Sequence, residues 1–170
     1  IRPLDDLVKK HGKGLKKNQL ITIDGKIMAV AFMANAQHLV YRKDILKKLN
    51  IDVPKTYEEM LAAAKKIRAS GLVKNPVGGA YKAGWNLAQE FNNMFIGYGG
   101  SHFKGNSAEP NVNSDAGVKA LEMMKSLSKY MNPDFLTHDS NATNAEFRAG
   151  NVAIMNMWGS RAATLVDADG

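Results

Sequence analysis

Apolar residues recur along this chain in two rhythms. Residues 20–23, 27–32 and 38–41 are short runs rich in β-branched and aromatic side chains, the composition that a pleated strand accommodates. Asp24-Gly25, between the first two runs, predicts a tight hairpin turn, since glycine tolerates the positive φ such turns require. A polar interruption, MANAQ at 33–37, separates the second run from the third. Elsewhere the spacing is helical. Tyr57, Met60, Leu61, Ala64 and Ile67 form one apolar stripe, with Lys65, Lys66 and Arg68 facing water. Val118, Leu121, Met124, Leu127 and Met131 form another, with Glu122, Lys125 and Lys129 opposite. The methionines of this second stripe are expected in the core rather than around a cofactor.

Start and stop signals place the remaining elements. A short helix follows Pro3, with acids Asp5 and Asp6 in its first turn and lysines toward His11-Gly12. A second runs over about 43–49 and stops before Pro54. Thr56-x-x-Glu59 is a capping box, in which Thr56 accepts from helix N–H groups and Glu59 reaches back. NPVGG at 75–79 reads as loop, and Gly78-Gly79 and Gly99-Gly100 as punctuation. A helix is expected over about 86–98. Ser114 is expected to cap the next one, and Asn132-Pro133-Asp134 to end it. A short helix near 142–149, a buried strand at 152–157 and a turn at 158–161 into a final helix complete the order. Helices alternating with short apolar strands predict an α/β lobe with helices on both faces of a sheet.

Composition narrows the function classes. The 170 residues are enough for one domain of ordinary size, 45% of them are hydrophobic, and no apolar run approaches the roughly 20 residues of a membrane-spanning helix. The absence of cysteine excludes disulfides and thiolate metal sites. Net charge is +7, and much of the excess lies in Arg2, Lys9, Lys10, Lys13, Lys16 and Lys17. No aromatic is interleaved with that cluster, so it lacks a stacking platform for single strands, and no nucleic-acid partner is expected. His11, His38, His102 and His138 show no helical i, i+4 pairing, and H-E-x-x-H, G-x-S-x-G, Walker and G-x-G-x-x-G patterns are missing. Neither a cofactor nor a metal is expected.

Ordered blocks then give a resemblance. DGKIMAVAF, LVYRKDILKKLNIDVPKTYEEMLAAAKKI and, far downstream, FRAGNVAIMNMWGS resemble the extracellular solute-binding proteins of ABC transporters, in the sugar-binding group that includes maltose-binding protein. Tyr41-Arg42-Lys43-Asp44 stands where that family has its "YNKD" helix start, and the run from Pro54 to Glu59 where it has "PKTWDE". Two positions depart from the pattern: Ala31 or Phe32 replaces the usual proline, and Tyr57 the usual tryptophan. The resemblance implies a type II periplasmic-binding-protein-like lobe over 1–170, with 1–40 as a segment crossing to a second lobe. It further implies an internal piece of a longer protein, since no signal peptide is visible and the first residue is Ile1.

Ligand in such folds sits beyond the carboxyl ends of strands, beside helix N-termini. Three places meet that condition. Asn35 and Gln37 offer uncharged amides suited to a neutral polar ligand, or are ordinary loop amides facing water. Trp85, Asn86 and Gln89 open a helix; Trp85 either packs against the C–H face of a sugar or anchors its loop in the core. Trp158, Ser160 and Arg161 follow the buried strand; Arg161 either donates a fork of hydrogen bonds to ligand or pairs with a surface acid. The implied function is substrate binding for an ABC importer. A sugar or polyol would be held between two lobes that close by a hinge and delivered to permease transmembrane subunits by a monomeric protein in the periplasm or on the extracellular membrane face. Two alternatives stand beside it: an enzyme on a similar lobe, and a nucleic-acid or anionic-surface binder led by the basic cluster.

Overall fold

The computed structural model describes residues 1–165, which divide into two compact units, one of residues 1–36 and one that begins at Gln37. In the first unit, helix α1 (Asp5–His11) precedes a two-stranded antiparallel hairpin of β1 (Leu20–Ile23) and β2 (Lys26–Val30). Asp24 and Gly25 turn between them with φ of 48° and 74°. The hairpin is extended by Ala31 N–H donating to Gln19 O at 2.8 Å, and α1 is tied to it where Leu4 N–H donates to Ile27 O at 2.7 Å. None of the unit's residues is fully buried, and Leu7, Ile21, Ile23, Phe32 and Met33 are exposed.

The second unit is built on a three-stranded sheet in the order β3-β5-β4. β3 (Gln37–Tyr41) leads into α2 (Lys43–Lys48) and α3 (Tyr57–Ala69). β4 (Val77–Gly78) is followed by α4 (Trp85–Gly97), α5 (Asp115–Ser128) and α6 (Ser140–Arg148). The chain returns as β5 (Ile154–Trp158), antiparallel to β3 and parallel to β4, then turns through Gly159–Thr164. That last segment is a 3₁₀ helix at the expected turn; the final helix expected after it lies largely outside the described residues. Both faces of β5 are covered. Leu39, Tyr41 and Ile154 join the core built with α3, α4 and α5, whereas Val40, Met155 and Met157 pack with Phe147 and Val152. This is the expected mixed α/β arrangement with helices on both faces.

Several local expectations are corrected. NPVGG is no loop: Val77-Gly78 is the buried strand β4. A Cβ on Gly78 would stand 2.9 Å from Val152 Cγ1 and 3.0 Å from Met155 Cβ, so glycine is what lets β4 lie this close to its neighbours. The buried stripe of α5 is rotated from the predicted one. Val118 and Leu121 are 51% and 58% exposed, and Gly117, Ala120, Met124 and Leu127 face inward. Small residues there admit α4, whose Phe95 is fully buried in the same core. Ser114 occupies the N-cap of α5, yet its side chain makes no capping hydrogen bond among the described residues. Thr56 does cap α3, accepting from Glu59 N–H at 3.1 Å, while the Glu59 carboxylate accepts from Lys55 N–H rather than from the cap residue.

One charged group lies in this core. Glu90, on the inner face of α4, is 2% exposed and accepts a hydrogen bond from Ala80 N–H at 3.2 Å. Burial pushes its carboxyl up to about 7, the Ala80 N–H opposing part of the shift. With Tyr57, Tyr81 and Asn156 it lines a small cavity of about 10 Å³, at the lower limit of what can hold one water molecule. Asn156 Nδ2 donates to the Tyr57 hydroxyl at 3.2 Å, whereas the Tyr81 hydroxyl finds no hydrogen-bond partner among the described residues.

Two stability predictions follow from this packing. Gly78→Ala should lower unfolding free energy by about 1–3 kcal/mol in urea denaturation, through overpacking at the sheet. Leu121→Lys, on the exposed face of α5, should change it by less than about 0.5 kcal/mol. Glu90 is ionised in the unfolded chain above its ordinary carboxyl range but is held neutral in the fold up to about pH 7. Its contribution is therefore fully present below about pH 4.5 and is lost as pH rises through about 7, a decline of roughly 3 kcal/mol. Glu90→Gln should flatten that decline in pH-resolved denaturation curves.

Candidate functional site

The two tryptophans meet. Gly84, with φ of 101°, turns the chain sharply into α4, a backbone state open to glycine, and so sets Trp85 at the helix start. Trp158 is the last residue of β5. Their rings stack with centroids 5.2 Å apart and planes inclined by 24°. Trp85 remains 61% exposed, so it does not anchor its loop in the core; Trp158 is half-buried and packs on the Phe147–Met157 side of the sheet.

Amides and hydroxyls border the stacked rings. Gln37 is the first residue of β3, not part of a loop, and pairs directly with Trp158 across the ladder. Its Oε1 accepts from Asn93 Nδ2 at 2.6 Å. Asn86 Oδ1 accepts from Ser140 Oγ at 2.9 Å, which joins the start of α4 to the start of α6. Gln89 is half-buried on α4 between Asn86 and Asn93, and Ser160 is exposed just after β5. Asn35 is exposed and belongs to the Ile1–Ala36 unit.

Charge enters through three further residues. Asp139 is the N-cap of α6, its Oδ1 accepting from the N–H groups of Asn141 and Ala142, each at 3.0 Å. The Ala142 N–H first, then that of Asn141 and the positive charges of Lys82 and Arg161, hold its carboxyl below the usual carboxylate range against the opposing effect of desolvation. Lys82 Nζ lies 3.9 Å from Asp139 Oδ2. The positive charge of Arg161 therefore acts, weakly, on an acid of its own unit. Among the described residues no group of three His, Asp or Glu side chains is placed to hold a metal ion.

The expected residues Gln37, Trp85, Asn86, Gln89, Trp158, Ser160 and Arg161 thus belong to one unit, and the indole pair joins two of the three expected places. Asn93, Ser140, Lys82 and Asp139 were not anticipated. Asn93 was detectable: it follows Gln89 by four residues and Asn86 by seven, and so shares their helix face. Ser140 and Asp139 carried no such signal, because their approach to α4 depends on the return of the chain through α6.

Known proteins share this architecture. A crystal structure of an ABC transporter solute-binding protein from Agrobacterium radiobacter K84, in complex with ribitol, superposes with a TM-score of 0.80 at 28% identity, covering 99% of this chain and 44% of that one. A solute-binding protein from Agrobacterium vitis S4 with bound D-mannitol gives 0.73 at 25% identity, covering 99% of this chain and 42% of that one. In sequence, a probable ABC transporter-binding protein of Deinococcus radiodurans is 31% identical over 159 residues, which is 89% of this chain and 37% of that protein. The chain therefore spans less than half the length of the proteins it matches. The sequence pattern of the bacterial extracellular solute-binding protein family matches residues 1–170 in full, and the chain belongs to that family.

Proposed function

We propose that this chain is part of the substrate-binding component of an ABC importer, and that residues 37–165 supply one wall of its ligand cleft. The ligand class is a sugar or sugar-like polyol. The observation that carries this reading is the Trp85–Trp158 stack, set at the carboxyl end of β5 and the start of α4 and bordered by the amides of Gln37, Asn86 and Asn93. Flat indole faces pack against aliphatic C–H groups, and neutral amides donate to and accept from hydroxyls. Ribitol and D-mannitol in two structurally similar proteins belong to this class.

Gln89, Ser160 and Arg161 complete this wall in our reading; Asn35 is a separate candidate contact on the Ile1–Ala36 unit. Residues 1–40 are the segment crossing to a second lobe, and hinge closure of the two lobes traps ligand outside the cytoplasmic membrane for delivery to the permease's transmembrane subunits. No chemical conversion of the ligand is part of this role. A single wall gives weak binding, because much of the ligand surface stays in water.

In ligand-observed NMR with a panel of ribitol, D-mannitol and maltose, this chain should bind at least one member with a Kd of about 1 mM or weaker. Trp85→Ala should weaken that binding about tenfold, with little loss of stability because the ring is largely exposed. Micromolar affinity of the chain alone would refute the one-wall reading. Unchanged binding in Trp85→Ala would refute the aromatic wall.

A further inference from the structure

The buried carboxyl of Glu90 has no part in ligand contact, yet it touches the segment that leads to Trp85. Ala80, whose N–H donates to Glu90, begins the short connection from β4 to α4. That connection is fastened on its other side by α6 and the turn before it: Thr143 Oγ1 donates to Gly79 O at 3.1 Å, and Lys82 N–H donates to His138 O at 2.9 Å. On the inner side, Glu90 is the side chain that fastens it to α4. The next residue, Tyr81, is 4% exposed, sits edge-on to Phe135 at 5.8 Å, and directs a hydroxyl without a partner among the described residues into the cavity it shares with Glu90.

We propose that Glu90 is a positioning residue for the tryptophan wall: its neutral carboxyl holds the connection between β4 and α4 in the geometry that stacks Trp85 on Trp158, and its ionisation loosens that stack. A neutral carboxyl is satisfied by one acceptor contact from Ala80 and one donated hydrogen bond within the small cavity. A buried carboxylate instead requires several donors. The groups lining the cavity with it are the Tyr57 hydroxyl from α3, the Tyr81 hydroxyl from the connection itself and the Asn156 amide from β5. Recruiting Tyr81 moves the very segment that positions Trp85. Tyr57, Met60 and Asn156 line both this cavity and an outer pocket of about 200 Å³.

The titration falls in the neutral range, since burial raises the Glu90 carboxyl to about 7. Tyr57, pushed up to about 12 by burial and then by the charge of Glu90, and Tyr81, pushed well above its ordinary value by the same causes, stay protonated throughout. Asp139, the N-cap of α6, is held below the usual carboxylate range and stays ionised there. His138, whose carbonyl accepts from Lys82 N–H, is the imidazole nearest this connection in the chain.

The importance of this positioning for ligand rests on the proposed function, but the test reads the indoles directly. Stacked tryptophans give an exciton couplet in circular dichroism, which we expect to weaken in the native chain with a single-proton midpoint near pH 7. Glu90→Gln, which keeps the acceptor and cannot ionise, should hold the couplet at its low-pH strength between about pH 5 and about pH 9. His138→Asn should leave the midpoint in place. A couplet unchanged with pH in the native chain, a midpoint that survives Glu90→Gln, or one abolished by His138→Asn would each overturn the proposal. Normal couplet behaviour in a chain that binds no polyol would sink the proposed function and leave the role of Glu90 standing.

Discussion

Burial of β5 between β3 and β4 is the constraint on which the remaining structure depends. Ile154 and Met155 are fully buried, one on each face, so the strand cannot shift register without driving an apolar side chain toward water. That fixed register decides where Trp158 emerges at the strand's end and which residue of β3 stands opposite it. Gly78 serves the same constraint from the other edge. Because β4 can approach so closely, the connection after it reaches the core at Ala80 and returns to the surface at Gly84, where α4 begins with Trp85.

The aromatic pair is accordingly a product of long-range packing, although both tryptophans stand out in the sequence. Their surroundings are mainly neutral: Gln37 with Asn93, and Asn86 with Ser140, are held by hydrogen bonds that orient their amides without fixed charge. Lys82 precedes Trp85 by three residues and Arg161 follows Trp158 by three, and both charges act on the Asp139 carboxylate. Such a distribution suits hydroxylated, weakly charged solutes far better than extended polyanions, which need several cations in a row.

Strong local signals were legible, and their failures have physical causes. The Asp24-Gly25 turn, the Thr56 cap and the alternation of strands and helices were read directly from residue types. The two-residue strand β4 was hidden because NPVGG has turn composition; only the close approach of Val152 and Met155 explains why glycine is needed there. Hydrophobicity placed Met124, Leu127 and Met131 correctly but missed the first half of α5, whose inward face uses Gly117 and Ala120 to admit α4 and leaves the larger Val118 and Leu121 in water. Trp85 could not be assigned from sequence, because an indole suits core and surface alike. Glu90 was passed over because its burial is a tertiary property, invisible in a helix that reads as a mixed polar and apolar repeat.

The central claim is that the stacked indoles of Trp85 and Trp158 meet a polyhydroxylated ligand. Recording the indole N–H cross-peaks of the two tryptophans in a ¹⁵N–¹H correlation spectrum during titration with ribitol tests it most directly. The account predicts that both peaks move together along one saturation curve, while those of core amides such as Ile67 stay still. Indole peaks that remain fixed for ribitol, D-mannitol and maltose alike would contradict it.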